Sequence, residues 1–447
     1  MKQATRYSRP AGLLCLCLFL LPALLTAAPQ AESPFPQTDS PFPAAGTSGL
    51  EVEYGARDLA GDTRDFAFDL FRAIAVAEAE ENLILSPHSI ATAILMLYAG
   101  AEGATASQIE DALRFSASGS ALIHAAGELQ ALLMPTEDDD SDNESFDDES
   151  TDGDPFTLRI ANGLWLDSHY PIRGQFVAQL QDHLRAQFTG ADFANDPDGT
   201  RQGINGWIER QTEGKIADLL PPGSITPLTR LVLANAVYFL AGWQHPFRES
   251  ATRDGRFTIA AGLERRVPLM QLEARLPVSM EGDTIAVELP YAGGSTSFIA
   301  FMPRDPSAWD SWQAGLDRES FERMLQSLRP TQAAVTMPRF SSETSLSLPN
   351  ALRGLGMRDA FDPNRADLSG ISGNRDLYAT DIIHRSVIEV DEEGTEAAAA
   401  TAVIIGVRSM VPTDPVQIRL DRPFVYTIYD RETGSILFIG RVSDPSL

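Results

Sequence analysis

Residues 388–410 read IEVDEEGTEAAAATAVIIGVRSM, and the interpretation of the whole chain depends on this stretch. It begins as a β-strand, because apolar Ile388 and Val390 alternate with charged residues. The part after Gly394 is compatible with either a helix or a strand, since its residues are small. As a strand it would carry only small groups on one face, namely Thr395, Ala397, Ala399 and Thr401. Such a segment can slide between two existing strands without a clash.

The composition is that of a large acidic globular protein. The chain has 447 residues, of which 43% are hydrophobic, and can therefore bury a large core. Length alone suggests two or three domains, but no linker interrupts residues 58–447, so we expect one large domain there. The net charge is −27, and it becomes −30 once the three cations of residues 1–28 are left out. This balance argues against nucleic acid, heparin-like polyanions and anionic membranes as partners.

The first 28 residues have the parts of a secretory signal peptide. Positive residues come first, an apolar run spans residues 11–25, and residues 26–28 are small. The apolar run is short for a membrane anchor. We therefore expect a signal peptide over residues 1–28 and a secreted or extracytoplasmic protein, in the extracellular space or the periplasm. Both cysteines, Cys15 and Cys17, lie in this leader, so the processed chain would have no disulfide or thiol chemistry.

Two other segments have the composition of disordered chain. Residues 29–57 are rich in Pro and Ser, which predicts a stiff, unpacked tether. Residues 137–154 hold 11 acidic residues among 18, which predicts a solvated, disordered insert. Four of the acidic residues also have the spacing of a calcium-binding loop: Asp138, Asp140, Asp142 and Glu149. The solvated insert is the preferred interpretation, because Asn143 replaces the glycine that a calcium loop needs at its turn.

Hydrophobic periodicity divides the remaining chain into helices and strands. It predicts a first helix over residues 62–77 and a second helix capped by Ser86. Thr105 and Gln108 predict a capping box at the start of the third helix. Residues 231–240 are apolar throughout and predict a strand buried on both faces. Charged helices interleaved with such strands make this an α+β chain with at least one large sheet.

No catalytic or metal-binding motif is present in the sequence. The six histidines show neither HExxH nor another metal-ligand spacing. A G-x-S-x-G nucleophile motif in a strand-turn-helix setting and a glycine-rich phosphate loop are both missing. We therefore expect no enzyme activity, no metal and no cofactor, although a hydrolase with an unrecognised motif remains an alternative.

Motifs that follow one another from Asp58 to the C-terminus resemble those of the serpin family. They are Asn82-Leu83-Ile84-Leu85-Ser86-Pro87-His88-Ser89-Ile90, Leu97-Tyr98-Ala99-Gly100-Ala101, Ile204-Asn205-Gly206-Trp207-Ile208-Glu209, Thr212-Glu213-Gly214-Lys215-Ile216, Asn235-Ala236-Val237-Tyr238-Phe239, Glu288-Leu289-Pro290-Tyr291, Gly394-Thr395-Glu396-Ala397-Ala398-Ala399 and Leu420-Asp421-Arg422-Pro423-Phe424. Each motif alone is weak, whereas the whole set in this order is specific.

The resemblance implies an α+β serpin fold with three β-sheets, about eight or nine helices and an exposed reactive-centre loop over residues 392–412. The hinge of this loop would consist of Glu392, Gly394, Thr395, Glu396, Ala397, Ala398, Ala399 and Ala400. The family spacing places the reactive bond at Arg408–Ser409. Val407 and Met410 stay open as alternatives, because the chain after Arg408 is longer than the family pattern.

The resemblance also implies two supporting groups of residues. A polar cluster that lets the sheet open would consist of Ser86, Ser89, Asn235 and His384. The region where the loop enters the sheet would contain Trp243, Arg339 and Glu392. For His384, an ordinary half-buried histidine is the interpretation without the family match.

The implied function is inhibition of serine-type endopeptidases. A trypsin-like serine protease would be acylated at Arg408, and insertion of the freed loop into the sheet would hold it in a covalent complex. The small inward residues of 395–401 meet the steric condition for insertion. A monomer is expected. The alternative is a non-inhibitory serpin that acts as a binding or carrier protein.

Overall fold

The computed structural model describes residues 54–78, 81–134, 157–260, 263–395 and 414–447. Contacts divide the chain into two units, Met1–Val52 and Glu53–Leu447, of which the first lies outside the described residues. The described residues contain ten α-helices: α1 Ala56–Ala77, α2 Pro87–Tyr98, α3 Gly103–Ala112, α4 Ser120–Leu133, α5 Gly174–Leu184, α6 Pro197–Gln211, α7 Trp309–Ala314, α8 Arg318–Ser327, α9 Pro349–Gly354 and α10 Ser369–Ser372.

The same part of the chain forms fifteen β-strands. They are β1 Leu83–Leu85, β2 Thr157–Asp167, β3 Gln187–Ala191, β4 Leu231–Gly242, β5 Arg253–Ala260, β6 Leu263–Ser279, β7 Thr284–Pro290, β8 Thr296–Pro303, β9 Arg329–Pro338, β10 Phe340–Ser347, β11 Asp381–Val390, β12 Gly394–Thr395, β13 Val416–Arg419, β14 Phe424–Asp430 and β15 Ile436–Val442.

The strands form two sheets. A nine-stranded sheet has the order β1-β15-β14-β8-β7-β6-β9-β13, and β5 pairs with β6 beside this path. The long strand β6 belongs to both halves of it, because its end pairs with β7 and its middle pairs with β9. A six-stranded sheet has the order β10-β11-β12-β4-β2-β3. The α+β class expected from the sequence is confirmed, and two of the three expected sheets are joined through β6.

The pairing between β4 and β11 changes along their length. From Asp381 opposite Val232 to Val387 opposite Tyr238, the two strands are parallel neighbours. Beyond this region the two-residue strand β12 lies between them and is antiparallel to both. The two strands are therefore separated at one end of the sheet only.

The first two helices pack into a core that they share with both sheets. Ser86 caps α2 as predicted and accepts the backbone N–H of Ser89. The first helix starts at Ala56, earlier than the predicted residue 62, because the carboxylate of Asp58 accepts the N–H of Gly55 and closes the first turn. The end of the predicted tether is therefore helical.

The predicted capping box of the third helix is wrong. This helix begins at Gly103, and both proposed capping side chains bind backbone from elsewhere in the fold. The Thr105 hydroxyl accepts the N–H of Asp367, and the Gln108 amide oxygen accepts the N–H groups of residues 358 and 359. These tertiary contacts replace the local bonds that the pattern predicted.

A second hydrophobic cluster lies under α6, on the outer face of the six-stranded sheet. Trp207 of α6 contacts Trp165 of β2 edge to face, with ring centroids 5.2 Å apart. The cluster also includes Ala236 of β4 and Ile383 of β11. It therefore joins the two strands that would have to part if another strand entered between them.

Candidate functional site

The first residues of the predicted hinge already lie in the six-stranded sheet. Thr395 pairs with Val390 of β11 on one side and with Ala241 of β4 on the other. Its side chain is fully buried, and its hydroxyl lies 2.5 Å from the Tyr291 hydroxyl. The chain reverses between β11 and β12 around Asp391, whose carboxylate accepts the N–H of Gly394. The first residues of the predicted hinge thus lie at the end of the sheet where β4 and β11 are separated.

Gly394 is required at its position by the close approach of β4. A Cβ atom at this residue would lie 2.1 Å from the carbonyl oxygen of Ala241 and 2.8 Å from Cα of Gly242. Both contacts are with backbone, so no side chain can move aside to relieve them. Only glycine allows the chain to enter the sheet here.

Glu392 is buried just before β12 and is fully hydrogen-bonded. Its carboxylate accepts from Arg339 at 2.5 Å and from the Thr252 hydroxyl at 2.6 Å. Burial acts to raise the pKa of this carboxyl, but the hydrogen bonds from Thr252 and Arg339 and the charge of Arg339 hold it below its ordinary value. The peptide oxygen of Glu392 also accepts the N–H of Phe247. These bonds fix the turn between β11 and β12, where the predicted loop begins.

Two aromatic side chains, Trp243 and Tyr291, pack at the same turn between β11 and β12. Trp243 stacks on Tyr291 with ring centroids 4.7 Å apart, and the Trp243 indole N–H donates to the carbonyl of Asp391. The N–H of Trp243 donates to the carbonyl of Glu393. The predicted residues Trp243, Arg339 and Glu392 are thus brought together, and Tyr291 and Thr252 join them.

The predicted polar cluster is also assembled, in the middle of the β4–β11 pair. His384 of β11 and Asn235 of β4 are register partners and are both fully buried. The distance between His384 Nδ1 and Asn235 Oδ1 is 2.5 Å. The amide of Asn235 donates to the Ser89 hydroxyl of α2 and to Asn162 of β2. One hydrogen-bonded group therefore connects α2 with three adjacent strands.

The hydrogen bonds identify the tautomer of His384. The backbone N–H of Ser86 can only donate, and it points at Nε2 from 3.3 Å, while the Ser386 hydroxyl lies 2.7 Å from the same atom. Nε2 is therefore the acceptor, and Nδ1 carries the proton that Asn235 accepts. Burial lowers the pKa of His384 to about 3, so the ring is neutral. Protonation of Nε2 would remove the hydrogen bond from the Ser86 N–H, whereas the Ser386 hydroxyl could rotate and accept the new proton.

Four residues of the site were not predicted: Asn162, Thr252, Tyr291 and Ser386. Ser386 could have been found, since it lies two residues after His384 and so on the same face of β11. Asn162 is a buried amide in a strand, a signal visible only once the strand is known. Thr252 and Tyr291 reach the hinge through tertiary packing that no local pattern contains.

Several predicted residues lie outside the described part of the chain. They are Glu396, Ala397, Ala398, Ala399, Ala400, Val407, Arg408, Ser409 and Met410 of the loop, and the acidic insert of residues 137–154 with its calcium-like spacing. Among the residues that are described, no group of three or more His, Cys, Asp or Glu side chains is placed to hold a metal ion. In the described part of the chain, no helix is both long enough and apolar enough to cross a membrane.

Comparison with known proteins identifies relatives over most of the chain. A family model for the Serpin (serine protease inhibitor) family matches residues 62–445. The leukocyte elastase inhibitor of Equus caballus is 35% identical over 391 residues, which cover 85% of this chain and 97% of the relative. An uncharacterised serpin-like protein of Thermococcus kodakarensis is 36% identical over 386 residues, covering 85% and 84%. Human thyroxine-binding globulin with thyroxine has a TM-score of 0.75 at 26% identity, covering 87% of this chain and 99% of that one.

The relatives correct the predicted location. They include leukocyte elastase inhibitors from three mammals and a serpin B10, and such serpins are intracellular proteins without signal peptides. The prediction of a secreted or extracytoplasmic protein is therefore wrong. It relied on the sequence pattern of residues 1–28 alone, and these residues lie outside the described part of the chain.

Proposed function

The chain belongs to the serpin family, which is a family of protease inhibitors, not catalysts, and also includes carrier proteins; we propose that this chain is a suicide substrate of a trypsin-like serine protease. Arg408–Ser409 is the proposed reactive bond, in a loop of residues 392–412. The observation that carries the proposal is β12, because Gly394 and Thr395 already occupy a strand position between β4 and β11. The inhibitory domain spans residues 58–447 and acts as a monomer.

The register of β12 defines where the rest of the loop would go. Thr395 lies opposite Val390 and Ala241, and both pairings are antiparallel. If β12 continued in this register, each later residue would pair with the preceding residue of β11 and of β4. Since the Thr395 side chain points inward, every second residue after it would also point inward. These residues are Ala397, Ala399 and Thr401, which are small enough to pass between the strands.

If the strand continued in this register, Thr401 would lie at the polar cluster. His384 and Asn235 are direct partners in the present pairing, and both align with Thr401 in the extended register. An inserted threonine would separate these two side chains and offer its hydroxyl in place of their hydrogen bond. The cluster could then open without leaving buried polar groups unpaired, which would otherwise cost about 1–3 kcal/mol each.

The proposed covalent step is an acyl transfer. The serine hydroxyl of the protease attacks the carbonyl carbon of Arg408, and the peptide bond to Ser409 breaks. The protease histidine passes the proton of that hydroxyl to the new amino group of Ser409, which leaves Arg408 esterified to the protease. Insertion of the freed loop then displaces the ester from the hydrolytic machinery before water completes the reaction.

Trypsin tests this proposal directly. After incubation, denaturing electrophoresis should show an adduct that survives boiling, and mass spectrometry should find a released peptide that begins at Ser409. Cleavage at Arg408 without an adduct would contradict inhibition, and a peptide with another first residue would move the reactive bond to Val407, Met410 or elsewhere.

A carrier function is the second candidate, since thyroxine-binding globulin is among the similar structures. A cavity of about 250 Å³ lies beside α7 and α8, with Phe301, Trp312 and Phe321 in its walls. Typical small-molecule sites are larger, roughly 300–1,000 Å³. The small residues Ala397, Ala399 and Thr401 meet the steric condition for loop insertion, so inhibition is the better supported function.

A further inference from the structure

The net charge reverses on one part of the nine-stranded sheet. Strands β5, β6, β9 and β13 carry seven arginines and three acidic residues, although the whole chain has a net charge of −27. The arginines are Arg253, Arg256, Arg265, Arg266, Arg275, Arg329 and Arg419. A locally basic surface on an acidic protein attracts an acidic partner to that place and orients it there.

These four strands lie between the two ends of the reactive-centre loop. Thr252, which precedes β5, donates to Glu392 where the loop leaves the sheet. After the loop, the chain continues in β13, which pairs with β9. The N–H of Thr258 in β5 donates to the carbonyl of Asp421, which follows β13. A protease that holds the loop would therefore be next to these strands.

The hairpin of β5 and β6 holds two exposed arginines directly opposite each other. Arg256 and Arg266 are register partners, with 80% and 78% of their side chains exposed. Like charges in this arrangement repel and destabilise the strand pair. Arg256 lies 3.6 Å from the carboxylate of Glu264, and Arg266 lies 3.7 Å from that of Asp254. Both carboxylates are exposed, so these ion pairs contribute little to stability. Both guanidinium groups can exchange these partners for external carboxylates.

The same hairpin has a shallow groove in which such carboxylates could bind. Its volume is about 420 Å³, and its walls hold three arginines and two carboxylates, so cations exceed anions by one: Arg256, Arg265, Arg266, Asp254 and Glu264. Arg265 is already paired with Asp444, at 3.3 Å, so the guanidinium groups of Arg256 and Arg266 remain for planar, paired contacts with an external carboxylate.

We propose that the β5–β6 hairpin is a secondary binding surface for the target protease and binds acidic residues that border the active site of that protease. The inference rests on the proposed inhibitory function and narrows the partner to proteases with an acidic rim. The hairpin would speed association with such proteases and leave the cleavage preference to Arg408.

Two trypsins of opposite net charge, one anionic and one cationic, provide the probes because both cleave after arginine. The measured quantity is the second-order rate constant of complex formation at low salt. We expect Arg256→Gln with Arg266→Gln to slow inhibition of the anionic enzyme about tenfold, and Arg256→Glu with Arg266→Glu to slow it further. Inhibition of the cationic enzyme should not slow, and the difference should shrink in about 0.5 M salt.

A matched control is Arg57→Glu with Arg210→Glu, which makes the same charge change on exposed residues of α1 and α6. It should leave the preference between the two trypsins unchanged. Thermal unfolding of each variant shows whether the hairpin has kept its fold, and the glutamine pair avoids new repulsion with Glu264.

The outcomes separate this inference from the function it rests on. Inhibition of both trypsins at rates that the hairpin variants do not change would overturn the binding surface alone. A wild-type protein that forms no adduct with either enzyme would overturn the proposed function as well. Retention on a sulfated polysaccharide column that is lost in the variants, with unchanged trypsin rates, would assign the arginines to a polyanion instead.

Discussion

At the scale of single residues, Thr395 has the least room for change. Its side chain is enclosed between β4 and β11, with its hydroxyl against Tyr291. An arginine there would bury an unpaired charge as well as a longer chain. We expect Thr395→Arg to convert the inhibitor into a substrate, and an electrophoretic assay with trypsin should show cleaved protein in place of the adduct. A variant that still trapped protease one to one would contradict the insertion mechanism.

His384 makes stability depend on pH. Its pKa is about 3 in the folded protein and about 6.5 when exposed, so the unfolded chain binds the additional proton. The stabilisation is therefore complete above pH 6.5 and is lost as the pH falls toward 3. Between pH 7 and pH 5 the loss is about 2 kcal/mol. Burial also lowers the pKa of His88, to about 4, which adds in the same direction.

Urea unfolding at several pH values between 5 and 7 measures this effect. The midpoint should fall with pH in the native protein, and the fall should be smaller in His384→Gln, which keeps polar atoms at the site but does not titrate. Equal slopes in both proteins would show that His384 is not the group responsible.

Single residues also show what the sequence could and could not predict. Ser86, Ser89, Asn235 and His384 were assigned through the family motifs, and the structure brings all four together. Tyr291 belonged to a recognised motif, yet its contact with Thr395 spans 104 positions and depends on how two sheets pack. Thr105 was misassigned for the same reason, since its partner is 262 positions away.

At the scale of elements, β12 exists only because residue 394 is glycine. We expect Gly394→Ala to displace this two-residue strand, because the added methyl would overlap the backbone of β4. Insertion would then start from a hinge outside the sheet, and more inhibitor should be cleaved for each protease trapped. The ratio of inhibitor to protease at full inhibition is the measurement.

Glu393→Ala is the appropriate control for this element. The side chain of Glu393 is exposed, and its backbone makes the hydrogen bonds: the N–H donates to Asp391 and the carbonyl accepts the N–H of Trp243. An alanine at position 393 should therefore leave the ratio near that of the unchanged protein. If both variants behaved alike, the close approach of Gly394 to β4 would not be what governs insertion.

At the scale of the whole molecule, the native form would be less stable than the form cleaved at Arg408. Continuing β12 through residues 396–404 would add on the order of 10 backbone hydrogen bonds at about 1 kcal/mol each. Thermal unfolding should therefore shift upward by at least about 10 °C after cleavage with a catalytic amount of trypsin. Cleaved Thr395→Arg protein should show no such shift, and a shift of equal size in that variant would rule out insertion as its cause.

The two pairings of β11 differ greatly in how soon a folding chain can make them. Val390 and Thr395 are a few positions apart, whereas the contact between His384 and Asn235 spans 149 positions. Short loops close faster than long ones, so the β11–β12 hairpin can form and lengthen before β4 reaches its place. The two pairings then compete during refolding. Chains in which the hairpin lengthens first would carry residues 396–404 in the sheet without any cleavage. The yield of active inhibitor would be decided by the order of folding events rather than by equilibrium stability.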